Sequence, residues 1–243
     1  MLIEFCLPIY NEEKILEDNI IHLYDYCFKQ NYAFEWKIVL LNNGSRDLTE
    51  EICRSLAKKF PDKIKPENLS EPGKGRALKS YLLKSRADIL VYMDIDLAVS
   101  LENISDLIEP VITKEYDLVF GSRLLPDSRV SRSYLRSISS VFYNFLSRRI
   151  LRHNYKDLQC GFKAMNREVI NKVLPYLIDN NWFFDTELIA WADFFKFKIK
   201  EIPVAWSENR YSQRKSKVRL VRDGAEFIKD LISLKTRMAK LKK

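Results

Sequence analysis

Two acids one residue apart, Asp94 and Asp96, close an apolar run in the stretch ADILVYMDIDLA (87–98). A run such as Ile89–Met93 is how a strand buried on both faces of a parallel sheet reads, and ligands of open α/β sheets bind beyond the carboxyl ends of such strands. Two carboxylates brought together at that edge repel each other and resist desolvation unless a cation lies between them. Oxygen ligands with positions left open suit Mg²⁺ or Mn²⁺ shared with a substrate phosphate. Alone, the pair is also compatible with solvated acids at a strand end, so the neighbouring elements have to decide.

Those elements alternate. Apolar runs at 3–9, 37–41, 89–93 and 118–120 are separated by helix-like segments near 12–29, 48–60, 75–86 and 101–113. This pattern predicts βαβ units and a mostly parallel sheet flanked by helices. Right-handed crossovers place the strand ends on one side. The first three strands all end in polar residues: Tyr10-Asn11-Glu12, Asn42-Asn43-Gly44-Ser45 and Asp94-Ile95-Asp96. Three polar ends on one edge indicate a site. Further on, 131–151 reads as a helix carrying Arg132, Arg136, Arg148 and Arg149, and Gln159-Cys160-Gly161-Phe162 as a turn. Then come a helix near 167–177, an aromatic-rich approach (182–187) to another helix, and a strand over 199–206. With no internal repeat, the chain divides into one catalytic domain, 1–208, and a basic C-terminal extension, 209–243.

Composition bounds the rest. The chain is 47% hydrophobic with only 6 Gly and 8 Pro, enough for a sizeable core and unlike a disordered segment. Four cysteines without CxxC spacing and two histidines argue against zinc and for free thiols in a reducing cytosol. The opening MLIEFCLPIYNEE is too short and too soon acidic for a secretory signal, and no window approaches the ~20 apolar residues of a membrane span. A soluble or peripherally bound protein at a cytoplasmic membrane face is expected. Net charge is +8; 12 Lys/Arg against 3 Asp/Glu from position 210 onward give the extension +9 and leave the other 209 residues at −1. Leu220, Gly224, Phe227, Leu231, Leu234, Met238 and Leu241 form one apolar helix stripe with basic residues beside it. Such a helix lies in a membrane interface, packs on the body, or pairs as a coiled coil. No aromatic–basic recognition motif accompanies the charge, so nucleic acid is not an expected partner.

The motifs LPIYNEE (7–13), Asn-Asn-Gly-Ser with Arg46-Asp47, GKGRAL (73–78) and Asp94-Ile95-Asp96 resemble family 2 glycosyltransferases of the GT-A fold. GSR (121–123), DLQCGFK (157–163), WFFDTEL (182–188), EIPVAW (201–206) and SKVRLVRD (216–223) narrow the resemblance to dolichyl- or polyprenyl-phosphate sugar transferases, particularly the glucosyl branch. The motifs run in order from about residue 3 to 235.

The resemblance implies roles. Pro8, Tyr10 and Glu12 would hold the base and ribose of a nucleoside diphosphate sugar. Asn42 and Asn43 stand where the family usually has aspartate; an amide oxygen accepts a base N–H without charge assistance. Lys74, between two glycines that allow close backbone approach, would contact the diphosphate. Asp94 would face the ribose or metal, and Asp96 would bind Mg²⁺ or Mn²⁺. Arg210 and Lys217 would close over the donor. Arg123, Arg136 with Ser140, and Gln159 would clamp the acceptor phosphate, since bidentate arginines position an anion that is already ionised. Asp157 would orient the sugar or serve as base. Asp185 and Glu187, two apart, point to different helix faces, and Glu187 is the one expected in the site.

The expected reaction moves a hexose, glucose in the first instance, from UDP-glucose to a polyprenyl or dolichyl phosphate with inversion. The alternatives are a GDP-mannose-dependent lipid-phosphate synthase and a transferase acting on glycan or protein hydroxyls. A homodimer or a membrane-protein partner is compatible with the tail.

Overall fold

A computed structural model describes residues 1–131, 134–207 and 220–241. The first strand, β1 (Leu2–Ile9), is the centre on which the sheet is built. Its odd residues Ile3, Phe5, Leu7 and Ile9 enter one hydrophobic core and Cys6 enters the other, as the two-residue period of a strand covered on both faces requires. β2 (Glu35–Asn43) and β4 (Ile89–Met93) flank it in parallel, with Cys6 opposite Val39 and Tyr92. β3 (Ile64–Leu69) adds an edge beside β2. On the other side come β7 (Phe162–Asn166), β5 (Leu118–Ser122) and β8 (Ile199–Pro203), completing the order β3-β2-β1-β4-β7-β5-β8. Only β7 runs antiparallel, between β4 and β5.

Helices α1 (Leu16–Lys29), α2 (Thr49–Lys59) and α4 (Asn103–Ile112) cover one face. The opposite face carries α3 (Lys74–Leu82), α6 (Arg167–Val173) and α7 (Phe184–Phe194). α5 (Tyr134–Leu151) and α8 (Leu220–Leu241) lie outside these and contact each other. All four cysteines are free and buried. Among the described residues, no helix is long and apolar enough to cross a membrane.

The structure departs from the sequence reading at four places. β3, with sequence IKPENL, has too few apolar side chains to register as a strand and tolerates Pro66 because it is at the edge. The segment read as the turn 159–162 continues directly into β7. The single strand expected over 199–206 is divided at Val204: β8 pairs with β5, while β9 (Ala205–Ser207) pairs with β6 (Arg129–Ser131) in a separate two-stranded sheet. Residue 131 therefore belongs to a strand, and α5 starts at Tyr134. Finally, α1 starts at Leu16, because the Glu12 carbonyl first accepts the Ile15 and Leu16 amides in a turn.

The apolar stripe of α8 faces the body. Leu231 and Leu234 have no exposed surface, and Phe227 and Met238 pack against the same core. The Phe227 ring lies 5.3 Å from Tyr143 of α5 and 6.1 Å from Phe183. Leu241, the last residue of the expected stripe, is exposed. Leu234→Ala should therefore lower unfolding free energy by ~2–5 kcal/mol, the scale for truncating a buried leucine. Urea denaturation measures this, and an unmoved midpoint would mean that α8 does not pack on the body in solution.

Candidate active site

β1 lies between β2 and β4, whose connections wind in opposite directions from it, so a crevice opens beyond the carboxyl ends of these three strands. Loops after β1 and β2 are laced together across it. The Asn11 amide donates to Ser45 Oγ at 3.0 Å, Arg46 N to Asn11 Oδ1 at 2.8 Å, and Glu12 N to Thr49 Oγ1 at 2.9 Å. Asn11 takes a left-handed conformation, φ 50°, to make this turn. Pro8 and Tyr10 are half-buried here and Glu12 is buried. The two asparagines differ in role. Asn42 is engaged within the protein, donating to Asn68 Oδ1 and accepting from Ser45 N. Asn43 is 5% exposed, and its Oδ1 is buried with no hydrogen-bond partner among the described residues. A buried acceptor left unpaired at a ligand crevice is suited to a ligand donor.

Beyond β4 the chain turns sharply. Leu97 adopts φ 47°, Leu97 N donates to the Asp94 carbonyl, and Ala98 N donates to Asp96 Oδ1 at 3.2 Å. The Asp94 carboxylate lies so close to Gly161 that a Cβ there would meet Asp94 Oδ2 at 2.2 Å. Only glycine fits. Because β7 is antiparallel, its amino-terminal approach, 157–161, reaches the same edge at which β4 ends.

Behind Asp94 lies a chain of buried charge. Lys74 Nζ sits 2.9 Å from Asp94 Oδ1 and 3.1 Å from Asp185 Oδ2; Lys163 Nζ sits 2.6 Å from Asp185 Oδ1 and also donates to the Cys160 carbonyl. Burial pulls the Lys74 pKa down, but Asp185 and Asp94 outweigh it and hold it above the ordinary lysine value. Burial lowers Lys163 to about 7 and raises Asp185 to about 6. The glycines beside Lys74 serve the protein itself. A Cβ on Gly73 would lie 2.5 Å from the Asn180 carbonyl and one on Gly75 2.7 Å from that of Asp179. They let α3 dock on the 179–181 loop, which accepts the Gly75 and Arg76 amides, and do not open a path for a ligand.

The structure reassigns three expected roles. Arg123, at the end of β5, grips Asp157: Nε to Oδ2 at 2.7 Å, Nη2 to Oδ1 at 2.9 Å, and the Arg123 amide to Oδ2 at 3.0 Å. Burial raises the Asp157 pKa, but Arg123 outweighs it and the net shift is downward. A carboxylate taking three donors and held ionised is a poor general base, and an arginine fork turned onto it is a poor phosphate clamp. The pair is held from behind by Glu201, which accepts the Lys156 and Asp157 amides. Glu187 does not reach the Asp94 cluster. It accepts the Ile178 and Asp179 amides and pairs with Arg237 of α8, at the edge of a cleft of about 290 Å³ that includes Asp179 and Asp230. Its α7 neighbour Asp185 occupies the position expected for Glu187. Lys163 and Asp185 were legible only as parts of motifs; a buried pair 22 residues apart gives no local signal.

Ser140 is half-buried on α5, and Gln159 is half-buried in the 157–161 turn. The Arg136 side chain, and Arg210 and Lys217 entirely, lie outside the described residues.

The donor set fits a hard divalent cation. Asp94 and Asp96 offer carboxylate oxygens only, and Asp94 already accepts a cation, the Lys74 ammonium. No cluster of three His, Cys, Asp or Glu that could hold a metal ion exists among the described residues.

Residues 4–174 match the family described as glycosyl transferase family 2. The chain belongs to glycosyltransferase family 2. The transferase is 35% identical to glycosyltransferase AglD of Haloferax volcanii over 91% of its length, though it spans only 35% of that protein. It is 32% identical to the dolichyl-phosphate beta-glucosyltransferase ALG5D of Trichomonas vaginalis, over 88% of the chain and 68% of the relative. In structure it resembles glucosyl-3-phosphoglycerate synthase of Mycobacterium tuberculosis, crystallised with Mn²⁺, UDP and glucosyl-3-phosphoglycerate. The TM-score is 0.66 at 19% identity, covering 98% of this chain and 79% of the other. At that identity the likeness establishes the GT-A arrangement.

The Arg123–Asp157 pair generates a pH prediction. A carboxyl held below its unfolded value stabilises fully above that value, and this stabilisation is lost as pH falls through the folded one. Asp157→Asn should lower the melting temperature at pH 7, since breaking a buried pair costs about 3–5 kcal/mol. The gap to wild type should narrow as pH drops below about 4. Thermal melts across a pH series measure it, and a constant gap would refute an ionised Asp157.

Proposed function

We propose that this transferase moves glucose from UDP-glucose to the phosphate of a polyprenol or dolichol, with inversion at the anomeric carbon. The observation that carries the donor half is the crevice beyond the strand ends, where β4 leads into Asp94 and Asp96 and β2 ends in Asn43, whose buried amide oxygen has no partner among the described residues. Asn43 would accept an N–H of the base, with Pro8, Tyr10 and Glu12 beside the nucleoside. A divalent cation, Mg²⁺ or Mn²⁺, held by Asp94 and Asp96 would neutralise the charge that develops on the departing diphosphate. Mn²⁺ with UDP in the Mycobacterium synthase and the acceptor named for the Trichomonas relative support this reading.

The acceptor half needs no strong base. A lipid phosphate is ionised at neutral pH, so one of its oxygens attacks the anomeric carbon directly as the bond to UDP breaks, giving a β-linked product from an α-linked donor. Asp157, ionised and buried against Arg123, would shape the sugar side by fixing the 157–161 turn. In this reading, which for Arg136, Arg210 and Lys217 rests on the family resemblance alone, Arg136, Ser140 and Gln159 would position the acceptor phosphate and Arg210 and Lys217 the diphosphate, in place of base catalysis.

Peripheral contact with a cytoplasmic membrane face fits the exposed surface. Val141, Phe142 and Phe145 of α5 are 52%, 58% and 51% exposed, and α8 leaves Ile228 and Ile232 outward beside Lys229. Apolar side chains next to cations suit an anionic lipid interface.

Two measurements test these readings. With Mn²⁺ and a short polyprenyl phosphate, UDP-glucose should yield a lipid-phosphate glucose, and Asp96→Asn should reduce kcat by about 10²-fold or more. Glycosylation of a hydroxyl acceptor in place of the lipid phosphate would overturn the proposal. Sedimentation with anionic liposomes should weaken at least tenfold in a Phe142→Ser/Phe145→Ser variant, given ~1.5–3 kcal/mol for each buried Phe. Unchanged sedimentation would remove α5 from the membrane contact.

A further inference from the structure

Asp94, Lys74, Asp185 and Lys163 form one linear chain of alternating charge, neutral in sum. Along it the side chains are 42%, 7%, 3% and 0% exposed, so Asp94 is the end that meets the crevice. The rings of Tyr92 and Trp182 also lie near Lys74, 5.3 and 5.5 Å from its nitrogen. Its ammonium thus rests on an oxygen of the carboxylate that, in the function proposed above, holds a metal. A divalent ion arriving alone would be repelled by that ammonium and would bring two positive charges to a site where Asp94 is already balanced within the chain. A nucleoside diphosphate arriving with the metal brings compensating anions and offers Lys74 another partner.

We propose that Lys74 is a built-in counter-ion of Asp94 that disfavours metal binding by itself and favours its binding together with a nucleoside diphosphate. Lys163 sets the balance through Asp185. Because Asp185 gives one oxygen to Lys163 and the other to Lys74, its charge is shared, and Lys74 is held loosely enough to serve Asp94 and then the diphosphate. With Lys163 uncharged, Asp185 draws Lys74 away from Asp94. Lys163 is a positioning residue in this scheme; it reaches the ligand only through two others. The inference rests on the proposed role of Asp94 at the metal and diphosphate.

The test is Mn²⁺ binding to the full chain, followed by the electron paramagnetic resonance of free Mn²⁺, with and without UDP and with no turnover involved. Wild type should bind Mn²⁺ weakly alone and at least about tenfold more tightly with UDP. Lys74→Met should bind Mn²⁺ alone about tenfold more tightly than wild type, through loss of an adjacent like charge, and should lose most of the enhancement by UDP. Lys163→Met, of similar shape, should shift Mn²⁺ binding in the same direction by less; a purely structural lysine would lower metal affinity or leave it unmoved. Should Lys74→Met fail to fold, the Lys163→Met result decides alone. Mn²⁺ affinity unchanged or weakened in the folded variant overturns the counter-ion while leaving the proposed function standing. Wild-type protein that binds no Mn²⁺ even with UDP overturns the metal reading and the counter-ion with it.

Discussion

Lys163 carries an ammonium with no exposed surface, and such a charge is tolerated in a protein interior only when an opposite one meets it. Asp185 meets it at 2.6 Å, and the need to balance Asp185 in turn recruits Lys74 and through it Asp94. These four residues belong to β7, α7, the first turn of α3 and the end of β4. One electrostatic requirement therefore fixes four elements against each other at the sheet edge where the crevice opens. The hydrophobic cores on either face supply most of the folding free energy, but they are non-directional and would tolerate small slides of α3 or α7. A chain of contacts of about 3 Å does not. The stiffness of the donor side thus originates behind the site, in the Asp185–Lys163 pair, which is buried away from the crevice.

The antiparallel direction of β7 has a comparable reach. Were β7 parallel to its neighbours, the 157–161 turn would enter from the opposite edge, about 17 Å away for a five-residue strand. Reversed, it delivers Asp157 to Arg123 at the end of β5 and the Gly161 backbone to the Asp94 carboxylate. The close fit at Gly161 and the buried pair at Asp157 are consequences of one strand direction, and both lie at the sheet edge where β4 and β5 end.

What the sequence disclosed follows from which signals are local. Strands buried on both faces announce themselves as apolar runs, so β1, β2, β4 and β5 and their polar ends were legible, as were the motifs that place the chain in its family. β3 was not, because an edge strand with one covered face and a proline lacks the run. β7 was not, because Phe162–Asn166 follows a turn motif without a break and contains the lysine that its partner buries. The choice between Asp185 and Glu187 could not be made from spacing. Two residues apart on a helix, only one faces the sheet edge, and which one depends on the rotation of α7 about its axis. That rotation is set by α8, whose Arg237 claims Glu187, and by the 178–179 amides that the same carboxylate caps. The Arg123–Asp157 pairing was hidden for a related reason. Both residues stood out as ligand groups, and no sequence pattern reports that they satisfy one another across 34 positions.

That mutual satisfaction bears on how charge is distributed between site and tail. Lys74 with Asp94, and Arg123 with Asp157, bracket the crevice as two internally balanced pairs, and the body as a whole carries −1 over 209 residues. Such a surface neither attracts nor repels an anionic donor and an anionic acceptor strongly. The positive charge resides in the extension, +9 over 34 residues, the same segment whose helix α8 packs its apolar stripe on the body through Leu231 and Leu234. Under the proposed function, long-range attraction of phosphates and of an anionic membrane would belong to that segment and would be weakened by salt. Orientation at the reacting atoms would belong to the neutral, hydrogen-bonded crevice and would not be. A catalytic centre whose own charges are paired can hold its geometry before either substrate arrives. In the function proposed above, a basic segment attached through α8 would gather both substrates while the crevice keeps its own charges paired.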